Sequence, residues 1–148
     1  MLKSLITLAL TGASLVAQTA PSSTLVYGDT CGPSLEAVVG ASIGQTMEAR
    51  LSNLASNFAV VLVGVQSKNV DLTVIGAPGC RLLVADPVSM FPTYDPTTPC
   101  EMDFFMAIPN NASLVGMKIY TQAVVRDLLA PRTLKWSFSE GIEWTVEQ

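Results

Sequence analysis

The chain contains 148 residues, of which 49% are hydrophobic and only 14% are charged, about half the charged share of an average soluble domain. Its formal net charge is −4, and the scarcity of clustered lysine and arginine argues against a nucleic-acid-binding protein. The sequence has no histidine, which excludes Ser-His-Asp and Cys-His catalysis and every histidine-ligated metal site.

Residues 1–20 have the pattern of a secretory signal peptide. Lys3 provides a positive charge at the start, an apolar stretch follows, and Ala17 and Ala20 are small residues suited to cleavage. The apolar stretch is shorter than the roughly 20 residues that a membrane-spanning helix needs. The alternative is a buried first helix. We expect a secreted, extracellular or periplasmic chain with one domain over residues 21–148 and no membrane span after signal removal.

Three cysteines follow the signal segment, and an oxidising compartment predicts one disulfide bond and one remaining thiol. None of their spacings is typical of a metal site. The sequence allows three pairings. Cys31 and Cys80 both lie in turns flanked by glycine and proline, which favours the pair Cys31–Cys80. Cys100 would then be a free thiol or would form an intermolecular disulfide.

Short strands separated by glycine and proline are the dominant pattern of the central part of the chain. Polar and apolar residues alternate over Thr46–Ser52, whereas the continuous apolar run Phe58–Val65 predicts a strand covered on both faces. Further strands are predicted at Leu72–Ile75, Arg81–Ala85, Glu101–Ile108 and Met117–Arg126. The segment Asn110–Gly116 favours a helix, but it is long enough for only a turn or two.

The C-terminal segment is predicted to form a hairpin. Apolar residues occupy alternate positions in two runs: Leu134, Trp136 and Phe138, then Ile142, Trp144 and Val146. A three-residue loop ending at Gly141 would pair Trp136 with Trp144 and place both runs on one face. Gly141 would take the left-handed position of that turn. Both tryptophans are then expected in the core, and the alternative is a carbohydrate-stacking platform.

The predicted elements indicate an all-β fold. Many short strands without a helix of core size predict a two-sheet antiparallel β-sandwich of about eight or nine strands. Parallel strands joined by crossover helices are excluded because no such helix is available. No internal repeat of about 20–50 residues is visible.

A series of short motifs runs through most of the chain after the signal segment, from about residue 25 to residue 146. In chain order they are Tyr27-Gly28, Cys31-Gly32, Gly44, Leu51-Ser52-Asn53, Leu62–Val65, Gly79–Val84, Ile108-Pro109-Asn110, Leu114-Val115-Gly116, Tyr120–Ala123 and Ser139–Gly141. Their order and spacing resemble those of a small secreted β-sandwich domain common in planctomycetes and other marine bacteria. The resemblance implies a Cys31–Cys80 disulfide and a non-enzymatic role. Cys100 departs from it, because such domains usually have a glycine-containing turn there.

Without histidine, the main catalytic option is a pair of carboxylates, as in glycosidases. The candidate pairs are Glu101 with Asp103, Asp86 with Asp95, and Glu143 with Glu147. We interpret these as solvated faces or loops, and a buried Asp103 would overturn that interpretation because Asp103 precedes two phenylalanines. The loop from Asp86 to Asp95 could alternatively hold calcium. The sequence predicts no catalytic residue, no metal ligand and no cofactor.

Three classes of function remain. The favoured one is an exported, non-enzymatic structural or interaction module of the cell exterior, with a protein or polysaccharide partner. The alternatives are a carbohydrate-binding domain that uses exposed aromatic side chains and a small glycan-acting enzyme. The predicted ligand contacts are Phe91, Tyr94 and Tyr120. Tyr120 is expected on the polar side of its strand, together with Lys118 and Gln122. Gln122 itself is expected to be a buried amide bonded to the backbone.

Overall fold

The structure is a computed structural model that describes residues 23–54, 56, 58–94, 100–127 and 135–148. Within these ranges the chain forms ten strands and two short 3-10 helical turns, and it contains no α-helix. The predicted all-β antiparallel class is therefore confirmed. The predicted signal segment lies outside the described residues. No helix in the described part of the chain is long and apolar enough to cross a membrane.

Three sheets make up the fold. The strands are β1 (Thr24–Tyr27), β2 (Ser34–Val39), β3 (Thr46–Ser52), β4 (Phe58–Gly64), β5 (Gln66–Asp71), β6 (Arg81–Ala85), β7 (Ser89–Tyr94), β8 (Glu101–Ala107), β9 (Lys118–Asp127) and β10 (Lys135–Thr145). The central sheet has the order β1-β10-β9-β4-β7, the small sheet has the order β2-β3-β8, and β5 and β6 form a two-stranded hairpin. All pairings between these strands are antiparallel.

The main core lies between the central sheet and the small sheet. The alternation in β3 directs Met47, Ala49 and Leu51 into this core, as the sequence predicted. Side chains of the central sheet, including Val61 and Trp144, meet them from the other side. Each buried Å² of apolar surface contributes about 25 cal/mol, so burial of these side chains stabilises the packing of the two sheets.

A second layer covers the outer face of the central sheet. Residues of the hairpin and of the turn within it pack against this face. The contact joins Leu72, Ala77, Cys80 and Val84 of the hairpin and its turn to Leu62, Val124 and Phe138 of the central sheet. Strand β4 is therefore buried from both sides: Val61 faces the small sheet, and Leu62 faces the hairpin. This double burial explains the continuous apolar run of β4 and confirms the prediction of a strand covered on both faces.

The segment Leu72–Ile75, predicted as a strand, forms a 3-10 turn over Thr73–Ile75 instead. The Asp71 carboxylate accepts a hydrogen bond of 2.7 Å from the Thr73 N–H, which starts the turn. Gly76 ends it in the left-handed region with a φ of 85°. Local side-chain hydrogen bonding and a glycine that adopts positive φ at no steric cost outweigh the strand preference of the β-branched residues here.

The stretch between Asp86 and Asp95 is not a loop throughout, because it contains edge strand β7. Val60 of β4 pairs with Pro92 of β7. Proline has no N–H to donate, and it is tolerated here because β7 forms the edge of the central sheet. Asp95 lies outside the described residues, so the calcium hypothesis stays a prediction.

The predicted C-terminal hairpin is wrong, because β10 is one continuous strand. Phe138 pairs with Val124 of β9, and Gly141 pairs with Gln122, so β10 has one residue more than β9 over this interval. The extra residue forms a β-bulge, which shifts the side-chain alternation to the opposite face. Trp136 and Phe138 of the first apolar run therefore occupy the opposite face of β10 from Ile142 and Trp144 of the second run.

The bulge separates the two tryptophans. Trp144 is completely buried in the main core, where its indole N–H donates a 2.9 Å hydrogen bond to the Thr121 hydroxyl. Trp136 lies on the outer face of the central sheet and remains 36% exposed. The expectation of a core position is correct for Trp144 and wrong for Trp136.

Gly141 is required by a close contact with Tyr27 and not by a left-handed backbone, which it does not have. A Cβ added at Gly141 would lie 2.5 Å from Cζ of Tyr27. The Tyr27 ring is held in place because its hydroxyl donates a 2.9 Å hydrogen bond to the Leu83 carbonyl. The predicted turn position of Gly141 is therefore corrected.

We expect Gly141→Ala to lower the free energy of unfolding by about 1–3 kcal/mol, because the added methyl group overpacks against the ring. Urea unfolding at neutral pH measures this loss. In a Tyr27→Ala background the same substitution should cost much less, since the obstructing ring is gone. An equal loss in both backgrounds would show that the contact is not the cause.

The disulfide Cys31–Cys80 is present, with a Cα–Cα distance of 5.2 Å. This confirms the favoured pairing. Cys100 is an exposed free thiol. The disulfide joins the segment between β1 and β2 to the start of β6, and it therefore ties the hairpin to the central sheet.

The buried amide of Gln122 is a second tie between the hairpin and the central sheet. Its Oε1 accepts a 2.9 Å hydrogen bond from the Leu83 N–H, and its Nε2 donates to the carbonyls of Arg81 and Ser139, both at 2.8 Å. These partners belong to β6 and to the bulge of β10. The prediction that Gln122 is a buried amide bonded to the backbone is confirmed.

Candidate functional site

The outer face of the central sheet is covered in the middle by the hairpin and open at both ends. One end carries the aromatic row, which we define as Trp136, Arg126 and Phe58. The other end carries the polar cluster, which we define as Tyr120, Glu143, Lys118 and Leu25. Both sets lie on neighbouring strands, so the sheet itself fixes their spacing.

The aromatic row crosses three adjacent strands. Trp136 of β10 pairs with Arg126 of β9, and Ala59 of β4 pairs with Val125, so the same register brings Phe58 beside Arg126. Phe58 is 40% exposed. The Arg126 guanidinium carbon lies 5.9 Å from the centre of the Trp136 ring, which is within the range of a cation–π contact. Two aromatic rings thus flank one cation at the surface.

The backbone under the aromatic row is well supported. The Phe138 N–H donates a 3.1 Å hydrogen bond to Sγ of Cys31, and Sγ of Cys80 lies 3.8 Å from the Trp136 carbonyl oxygen. The disulfide therefore adjoins Trp136 directly. Among the described residues, Arg126 forms no ion pair. The row is a preorganised surface with one positive charge that no described carboxylate neutralises.

The polar cluster surrounds Glu143. Glu143 pairs with Tyr120 on one side and with the exposed Leu25 of edge strand β1 on the other. Lys118 donates a hydrogen bond to its carboxylate, which lowers the pKa of Glu143 below its ordinary value of 4.5. Desolvation, and then the hydrogen bond with Glu143, raise the pKa of Tyr120. The cluster offers donors, an acceptor and apolar surface side by side.

Of the three predicted ligand contacts, the structure describes the side chain of Tyr120 only. The Tyr120 ring meets the Tyr27 ring edge to face, with 6.0 Å between their centres. Phe91 and Tyr94 lie on β7, where their backbones pair with Val61 and Phe58. Their side chains are outside the described part of the structure. Sequence reasoning did not identify the aromatic row, because the position of Trp136 on the outer face depends on the β10 bulge.

The candidate carboxylate pair Glu101 and Asp103 lies on the solvent side of the small sheet. Asp103 is exposed, and it accepts a 2.9 Å hydrogen bond from Nε of Arg50 on the neighbouring strand. A buried Asp103, which would have overturned the sequence interpretation, is not what the structure shows. Among the described residues, no group of three or more Cys, Asp or Glu side chains is placed to hold a metal ion.

We expect Glu143→Gln to reduce the amount by which the free energy of unfolding falls in acid. A carboxyl group whose pKa is lower in the folded state stabilises the fold above its unfolded pKa, and this contribution disappears as the pH falls through the folded pKa. Urea unfolding at pH 7 and pH 3 should therefore show a smaller difference for Glu143→Gln than for the wild type. Lys118→Met should have the same effect, and an unchanged difference in Lys118→Met would contradict this cause.

Comparisons with known proteins identify no family. No family model matches the chain, and no curated protein matches it. One solved structure with a partly similar backbone is superoxide reductase (neelaredoxin) from Ignicoccus hospitalis, which is 13% identical in sequence. The match covers 80% of this chain and 82% of that chain, with a TM-score of 0.38. A likeness this weak carries no information on function. The resemblance to small secreted β-sandwich domains stays a hypothesis.

Proposed function

We propose that the protein is an exported, non-enzymatic interaction module of the cell exterior, and that the aromatic row is its contact surface. The supporting observation is the pair of partly exposed rings, Trp136 and Phe58, on either side of Arg126. Tryptophan and arginine are the residue types most enriched among the dominant contacts of protein interfaces. A partner that covers these rings removes apolar surface from water, which favours association.

Export is supported by two independent features. The pattern of residues 1–20 is typical of a signal peptide. The Cys31–Cys80 disulfide is of the kind that persists in oxidising compartments and is rare in the cytosol. Such a bond also keeps the aromatic row in place outside the cell, because it adjoins Trp136.

The test is co-sedimentation of the purified protein with the cell-envelope fraction of its source organism. We expect Trp136→Ala and Arg126→Ala to lower the association constant at least about tenfold, which corresponds to about 1.4 kcal/mol, in variants that thermal unfolding shows to be folded. Val74→Ala, which shortens an exposed apolar side chain on the hairpin turn, is the matched control and should bind like the wild type. Full binding by Trp136→Ala would refute the proposal.

Pretreatment of the envelope distinguishes the kinds of partner. Protease treatment should abolish binding if the partner is a protein, whereas periodate, which cleaves vicinal diols, should abolish it if the partner is a polysaccharide. Either result is compatible with an interaction module, and retention of binding after both treatments would contradict a partner of either kind.

Carbohydrate binding at the polar cluster is a second candidate function. It is favoured by the position of Tyr120 beside the Glu143–Lys118 ion pair and the exposed Leu25, because sugars present both hydroxyl groups and apolar C–H faces. Titration with a panel of soluble oligosaccharides, followed by NMR, is the test. Glu143→Gln should weaken binding, and Trp136→Ala should not. Absence of any binding would exclude this candidate, and release of reducing ends would instead support a small glycan-acting enzyme.

A further inference from the structure

The outer face of the small sheet is open and acidic. Its charged members are Glu36, Glu48, Glu101, Asp103 and Arg50. They include four of the twelve Asp and Glu residues of the chain but only one of its eight Lys and Arg residues, so the formal charge of this face is −3. We call it the acidic face.

The acidic face also carries apolar surface. Val39, Glu48 and Phe105 lie side by side across the three strands. Phe105 is 57% exposed. In the next row Glu36 and Asp103 flank Arg50, whose Nε donates to Asp103. The face therefore presents an exposed aromatic ring within a field of excess negative charge.

The aromatic row lies on the opposite outer face of the sandwich. The side chains of the small sheet that face inward, such as Leu51 and Phe104, meet Val61 and Trp144 of the central sheet. The acidic face and the aromatic row therefore point away from each other. One has excess negative charge and an exposed phenylalanine, and the other has a positive charge without an ion-pair partner among the described residues, beside two exposed rings.

We propose that the protein associates with itself head to tail, with the aromatic row of one molecule on the acidic face of the next. This inference rests on the proposed role of the aromatic row as a contact surface and names a second copy of the chain as the partner. Charge complementarity is the argument: Arg126 meets carboxylates, and the rings of both surfaces become buried together. Because the two surfaces differ and point in opposite directions, the contact leaves one of each free and generates open chains.

The test is sedimentation velocity of the disulfide-bonded protein over a range of concentrations. The mean mass should rise with concentration beyond that of a dimer, and added NaCl should lower it because salt screens the charges. Arg126→Glu should weaken association at least about tenfold. Lys68→Glu makes the same change of charge on the hairpin, outside both surfaces, and should behave like the wild type.

Mixing two blocked variants tests the direction of the contact. Trp136→Ala removes the main ring of the aromatic row, and Phe105→Ala removes the ring of the acidic face, so each variant alone should remain a monomer. Their equimolar mixture should form a dimer and nothing larger, because only one intact pair of surfaces is present. Thermal unfolding of each variant verifies that it is folded.

The outcomes separate this inference from the proposed function. A wild type that stays monomeric, or that stops at a symmetric dimer, would overturn head-to-tail association. A mixture that forms no dimer would overturn it as well. If Trp136→Ala still loses envelope binding in either case, the interaction module stands without self-association, and if Trp136→Ala affects neither assay, both proposals fail.

Discussion

Replacement of Trp144 by alanine is expected to lower the free energy of unfolding by about 3–5 kcal/mol, the usual cost of removing a large aromatic side chain from a core. Trp144 has no exposed surface, and it packs between the central sheet and the small sheet. The substitution also leaves the Thr121 hydroxyl without the indole N–H that donates to it. Urea unfolding followed by circular dichroism measures the loss.

Trp136→Ala is the matched control, because it removes the same side chain from the same strand. Trp136 is partly exposed on the outer face, where it contacts Arg126 rather than the main core. We expect its cost to be well below that of Trp144→Ala. Similar losses for the two variants would mean that the bulge does not separate the faces of β10 in solution.

Removal of the Cys31–Cys80 disulfide is expected to cost about 4 kcal/mol in the chain-entropy treatment of a loop of this length. The two cysteines are separated by 49 positions, so the bond removes much freedom from the unfolded chain. The double variant Cys31→Ala/Cys80→Ala, compared with the wild type by urea unfolding without reductant, tests this.

Cys100→Ser is the control for the disulfide prediction. Cys100 is an exposed free thiol, and its replacement should change the free energy of unfolding by less than about 0.5 kcal/mol. Addition of a reductant should destabilise the wild type and the Cys100→Ser variant equally. It should leave the double variant unaffected, and a further loss there would show that another bond contributes.

The local pattern of polar and apolar residues was sufficient to predict the burial of strands β3 and β4. Met47, Ala49 and Leu51 alternate with polar residues, and they enter the core as that alternation predicts. The apolar run of β4 likewise predicted burial on both faces. The buried amide of Gln122 was predictable because a polar residue within an apolar strand must satisfy its hydrogen bonds.

The contact surfaces were less accessible to sequence reasoning. The exposure of Trp136 depends on one extra residue in β10, and the alternation of apolar residues is the same for a hairpin as for a bulged strand. The acidic face was anticipated only as a solvated polar surface, because the excess of carboxylates over Arg50 arises when β8, which is distant in the chain, pairs with β3 beside β2.

The sequence by itself determined the all-β class, the favoured disulfide pairing and the burial of β3 and β4, because these follow from side-chain periodicity and turn residues within short segments. Only the tertiary structure decided which strands became neighbours, which face each tryptophan occupies and which ends of the central sheet remain open. The physical reason is that strand pairing is non-local: β9 offers β10 a full set of hydrogen bonds along its length, and a single bulge in that ladder changes the face of every residue beyond it.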